Sequence, residues 1–100
     1  MTTYLVVKSD VSFVDKTEFD NWYENEHLSE ALNSFKAISA KRGWIKNSNF
    51  HLAIYEFENT KKAEEALKSK KIFLLINKFD DRWDKKVKRN RELIDINQKL

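Results

Sequence analysis

Apolar positions along the chain switch between two rhythms. From Thr3 to Ser9 the run TYLVVKS is short and rich in β-branched residues, which predicts a first strand. Asp15 followed three positions later by Glu18 has the capping-box pattern, and Val14 and Phe19 occupy the staple positions around it. A helix therefore starts here. Phe19, Trp22, Tyr23 and Glu26 share one side at 3.6 residues per turn, while Leu28, Ala31, Leu32 and Phe35 share a side about 180° away. One straight helix cannot turn both sets to one core. The spacing predicts a bend or break near residues 26–29, with His27 at the joint.

Two strands follow, Ala37–Ile45 and Phe50–Phe57, joined by the polar hairpin turn Lys46-Asn47-Ser48-Asn49. Thr60 is the expected cap of a helix through Lys68, and Ser69 is placed to restart it. Ile72, Leu75, Ile76, Phe79 and Trp83 then form an i, i+3, i+4, i+7, i+11 stripe. Val87–Ile96 reads as a final strand in preference to a helical tail. The order is β-α-β-β-α-β, a ferredoxin-like α+β fold with a four-stranded antiparallel sheet, in one domain spanning residues 1–100.

The strands are apolar on both faces. In the third, Phe50, Leu52 and Ile54 point one way and Ala53, Tyr55 and Phe57 the other; in the first, Leu5 and Val7 oppose Tyr4 and Val6. An antiparallel sheet with one wet face alternates apolar with polar. Two helices cover one face, so a second copy of the sheet is expected on the other, as a homodimer.

Composition narrows the chemistry. The chain has no cysteine, no proline and one glycine, which excludes disulfides, thiolate metal sites, cysteine nucleophiles and glycine-rich phosphate loops. No apolar run approaches the ~20 residues of a membrane span, and Met1–Lys8 lacks the layout of a signal peptide, so a cytoplasmic location is expected. Charge is uneven: six Lys/Arg against nine Asp/Glu in residues 1–60, thirteen against seven in residues 61–100. The lysines at 61, 62, 68, 70 and 71 interleave with Glu64 and Glu65 as on a solvated helix face. No RNP strand or GXXG loop accompanies them, which argues against nucleic acid as a partner.

The sequence also carries a resemblance. Trp22-Tyr23-x-x-x-His27-Leu28, then Phe79-Asp80-x-x-Trp83 and Val87-x-Arg89-x-Arg91, set in this order of elements from about Tyr4 to Leu93, resemble the dimeric α/β-barrel superfamily. The nearest likeness is to its EthD-like and muconolactone-isomerase-like branches. The resemblance implies sheet-to-sheet homodimers with a cleft between each sheet and its helices. Many members have no assigned activity; others are cofactor-free monooxygenases or lactone isomerases acting on small cyclic or aromatic metabolites. The chain departs from the pattern at Ser29, where relatives often have proline, at Asn33-Ser34, where they often have Pro-Gly, and at Asp84, where glycine is common.

His27 is the foremost candidate for chemistry. A histidine titrates near neutrality, and a carboxylate from Glu24, Glu26 or Glu30 is expected to tune it as a general base, with Tyr23 contributing a hydroxyl. In related isomerases and oxygenases the resemblance implies proton abstraction from a bound ring at this position. The plain alternative is a histidine that hydrogen-bonds across a helix bend or a dimer interface. Trp22, Tyr23 and Trp83 are suited to stack a flat ligand, or to fill the core. Arg89 and Arg91 share a face and can hold a carboxylate, or pair across the dimer with Glu56 or Glu58; Arg42 is a weaker candidate of the same kind. His51 is expected to be structural. With two histidines and no zinc spacing, no metal and no cofactor are expected. Two readings stand: a cofactor-independent isomerase or monooxygenase, and a non-catalytic homodimeric binding or accessory protein. Both take a small-molecule ligand.

Overall fold

The computed structural model describes residues 2–100. Its elements are β1 (Thr2–Asp10), α1 (Lys16–Trp22), a π-helical turn (Tyr23–His27), α2 (Leu28–Phe35), β2 (Ser39–Trp44), β3 (Phe50–Phe57), α3 (Thr60–Lys68), α4 (Lys70–Arg82) and β4 (Lys88–Ile96). The strands form one sheet in the order β2-β3-β1-β4, every neighbouring pair antiparallel. This is the ferredoxin-like α+β fold expected from the sequence. Ala37 and Ile38 lie ahead of β2, which is shorter than the apolar run suggested.

The sheet has one dry face. Thr3, Leu5, Val7 and Ser9 of β1 and His51, Ala53, Tyr55 and Phe57 of β3 are all buried, while the residues between them are half-buried or exposed. Cross-strand register places Ala40, Arg42 and Trp44 on this same face from β2, and Arg89, Arg91, Leu93 and Asp95 from β4. The helices lay Phe19, Trp22, Tyr23, Ala31, Phe35, Ala63, Ala66, Ile72, Leu75 and Phe79 against it. Full burial of one such aromatic is worth roughly 1.5–3 kcal/mol in transfer alone.

The first helical run continues through His27, with an irregular turn where the sequence predicts a bend or break. The Leu28 N–H reaches the Tyr23 carbonyl, five residues back, and the run continues to Phe35. The reason is geometric. At 100° per residue Phe19 and Phe35 would point about 160° apart. One wide turn absorbs an extra residue and brings them to within about 60°. The two apolar sets, which appear opposed on a regular helix, thus merge onto one face, and Glu26 is left in solvent.

Capping is as expected at one helix and different at another. The Asp15 carboxylate accepts from the Glu18 amide at 2.9 Å, and Val14 packs against the core. For α3 the cap is Asn59, whose side chain accepts from the Lys62 amide at 3.0 Å. Thr60 is the first helical residue instead. Its hydroxyl and that of Thr3 both donate to Asp95, at 2.6 and 2.7 Å, tying the start of α3 to β1 and β4. Asp84 adopts a left-handed φ of 52°, which explains why glycine suits this position in proteins of similar pattern. Among the described residues no helix is long and apolar enough to cross a membrane.

Candidate functional site

The π turn sets the site. It ends at His27, which is 3% exposed and lies between aromatic rings. The Trp22 ring stacks on the imidazole at 4.4 Å and 15°, while Tyr23 and Phe79 meet it edge-on at 4.8 and 5.4 Å. That clamp fixes the plane of the ring. Its Nδ1 is buried with no hydrogen-bond partner, in a core where buried polar atoms are normally paired.

The expected carboxylate tuning is not formed. Glu24 and Glu26 are exposed, and Glu30 pairs with Lys78 at 2.6 Å across the α2–α4 seam. Burial, and then the positive charges of Arg89 and Lys78, push the His27 pKa down to about 3. His27 is therefore neutral at pH 7, and all of it is in the accepting form. Protonating it in the closed protein costs about 5 kcal/mol at that pH.

Around His27 the fold assembles a cleft between sheet and helices, lined by Tyr23, Tyr55, Arg89, Arg91, Phe35 and apolar side chains of β1, α2 and α4. Tyr23 is buried by the helix face and Tyr55 by the inward face of β3; burial raises both phenols, Tyr23 to about 12. Arg89 sits over the Phe79 ring at 3.7 Å and bonds Asp80 at 3.3 Å. This fixes it on the helix side of the sheet. Within the chain Glu56 belongs to the opposite face of the sheet by register. Arg91 is on the same side and exposed at the mouth. The free space enclosed is about 10 Å³, room for at most a single water.

Of the residues singled out from sequence, His27, Tyr23, Arg89 and Arg91 thus meet in one cleft. Trp22, Trp83 and Arg42 do not line it. Trp22 presents a face to His27, and Trp83 lies under the Arg82 guanidinium at 4.1 Å. Arg42 lies by Tyr23 near the β2 edge, bonded to Asp20 at 2.7 Å and 3.5 Å from His51 Nε2. Asp20 also accepts from the Trp44 indole at 2.9 Å. His51, fully buried, has its pKa lowered to about 4 by burial and by Arg42. Sequence reasoning missed Tyr55, Asp80 and Asp20. Strand alternation places Tyr55 on one face with Ala53 and Phe57, but carries no sign that this face meets His27. Asp80 and Asp20 carry no such signal, because both are helix-surface residues that turn inward only through their partners. Among the described residues no three His, Asp or Glu side chains converge as a metal site.

Comparison with solved structures agrees with this architecture. An EthD-family protein from Bacillus halodurans superposes with a TM-score of 0.74 at 17% identity, covering 96% of this chain and 99% of that one. SnoaB, a cofactor-independent oxygenase from Streptomyces nogalater, gives 0.71 at 12% identity over 99% and 96%. A conserved protein of unknown function from Bacteroides thetaiotaomicron gives 0.68 at 9% identity over 95% and 97%. The chain shares its fold with these proteins, an EthD-family protein among them. The superfamily likeness drawn from WYENEHL and the late arginines is thus borne out as fold. No family model and no curated protein matches the sequence itself.

Proposed function

We propose that the cleft takes a small enolisable or phenolic ring and that His27 accepts a proton from it without a cofactor, as an isomerase or monooxygenase. The observation that carries this reading is the buried, unpartnered Nδ1 of a ring held rigid beside two arginines. In the step envisaged, the acidic C–H or O–H bond of the ligand breaks and an N–H bond forms on His27. The electron pair moves to the ring oxygen, which becomes an enolate or phenolate facing Arg89 and Arg91. That negative charge offsets the repulsion that depresses His27, so the ligand itself raises the basicity of its acceptor. Return of the proton to another carbon is isomerisation. Where the carbanion is a ring C–H centre that reacts with dioxygen, a C–O bond forms to give a hydroperoxide, and cleavage of its O–O bond with loss of water leaves a ring carbonyl, the substrate itself supplying both electrons. The likeness in fold to a cofactor-independent oxygenase supports the second outcome.

The cleft as it stands holds no ring, so a ligand enters only if its lining side chains move apart, and this nearly filled state favours a second reading, a non-catalytic accessory or binding protein. Solvent-deuterium exchange separates the two. Small cyclic 1,3-diketones in D2O, followed by NMR, are expected to exchange their acidic proton faster with the protein than with buffer. His27→Ala is expected to remove the excess rate. Exchange unchanged by His27→Ala would leave only the binding reading.

The same proposal includes a sheet-to-sheet homodimer. The open face carries Tyr4, Val6, Leu52, Ile54, Phe50 and Ile94, the last two 37% and 43% exposed. Lys8, Lys41, Glu56 and Glu92 lie on that same face, so charges of both signs are available to a two-fold partner.

A further inference from the structure

Beyond Phe35 from the His27 cleft lies an open groove of about 620 Å³, between the end of α2, the end of β3 and the α3–α4 junction. Its apolar lining is Phe35, Phe57, Ala66 and Ile38; the first three are buried and Ile38 stands 62% exposed. Lys36, Lys62, Lys70 and Lys71 line it against Glu58 and Glu65, and none of these six has an ion-pair partner among the described residues.

The groove differs from an ordinary solvated face in its volume, which falls in the range of small-molecule sites, and in the two aromatic rings, Phe35 and Phe57, that stand among its polar lining. Its four lysines also outnumber its two glutamates. Lys70 and Lys71 occupy the first turn of α4, where the helix dipole favours acids, and no acidic residue is there. The Ser69 hydroxyl donates to the Ala66 carbonyl at 3.0 Å and so does not cap that turn.

We propose that this groove binds an amphipathic monocarboxylate, with an unbranched acyl chain on Phe35, Phe57, Ala66 and Ile38 and the carboxylate among Lys62, Lys70 and Lys71. An apolar floor without anion donors would accept an alcohol equally well, and a lysine cluster without a floor would accept acetate. The two together select for a molecule with both parts. The groove shares only Phe35 with the His27 cleft, and no lining residue lies on the open face of the sheet. Occupancy is therefore independent of the proposed chemistry and of dimer formation.

Isothermal titration of the full chain with octanoate, 1-octanol, acetate and octyltrimethylammonium tests this. Octanoate is expected to bind saturably, at least roughly tenfold tighter than each of the other three, and to weaken as ionic strength rises. Reversing the charges together (Lys62→Glu, Lys70→Glu, Lys71→Glu) is expected to lower octanoate affinity by at least roughly tenfold. All three lysines are exposed, and far-UV circular dichroism checks that the variant folds. Should it unfold, the salt dependence and the octanoate-to-octanol ratio of the unaltered chain decide alone. His27→Ala is expected to leave octanoate affinity unchanged. Equal affinity for octanoate and octanol, indifference to the lysine reversals, or loss of octanoate binding in His27→Ala would each overturn the assignment.

Discussion

Burial of two histidines couples the stability of this protein to pH. His27 and His51 both have pKa values pushed well below 6.5, to about 3 and about 4. Between those values and 6.5 the unfolded chain binds protons that the folded one refuses, so stability falls as pH falls through that window. Carboxylates do not explain a loss there. Asp20 and Asp95 are held below their ordinary 3.8 by hydrogen bonds, and their contribution disappears only at more acid pH. Thermal melts are expected to show a falling midpoint from pH 6.5 to 4, and the double variant His27→Gln, His51→Gln is expected to flatten that slope. A slope unchanged in the double variant would contradict the assignment. A second prediction concerns backbone strain. Lys36 closes α2 at φ 55°, the left-handed region that costs a side chain about 1–2 kcal/mol. Lys36→Gly is expected to stabilise the protein by about 1 kcal/mol in urea unfolding.

Among the elements, the π turn shows what sequence patterning reveals and what it hides. The cap at Asp15, the strand Phe50–Phe57 and the stripe from Ile72 to Trp83 were legible, because each follows one undisturbed period. The run from Phe19 to Phe35 was legible only as a conflict between two apolar sets. The protein resolves that conflict by widening one turn, a device that local propensity does not announce. Tyr23 and His27 were readable as neighbours on a helix. Their meeting with Tyr55 and Arg89 depends on sheet register, which no short-range pattern states. The wide turn makes a testable claim. Deleting exposed Asn25 is expected to convert it to regular α-helix, keep Phe19 and Phe35 on one face and preserve a cooperative melt. Inserting one alanine after Asn33, beyond the turn, is expected to return Phe35 to about 160° from Phe19 and to lower stability by roughly the 3–5 kcal/mol of a lost core aromatic. Equal melts for the deletion and the insertion would contradict this account of the turn.

At the scale of the molecule, the sheet separates two environments. One face, with the helices, holds the aromatic core and the cleft; the other is half-apolar and bare of helices. Placing Lys at Ile54, in the middle of the bare face, is expected to give a monomeric mass by light scattering where the unaltered chain gives a dimer. A monomer in both would remove the sheet-to-sheet assembly. The cleft, its arginines and its histidine are built within one chain, so that result would leave the site itself standing. What the site depends on is a neutral imidazole with a free nitrogen, closed off from water and from its neighbouring carboxylates. A pH titration of the His27 ring by 15N NMR tests this most directly. A neutral ring down to about pH 4 in the free protein, with its pKa rising when a cyclic 1,3-diketone is bound, is the predicted result. Titration near 6.5, unmoved by ligand, would contradict it.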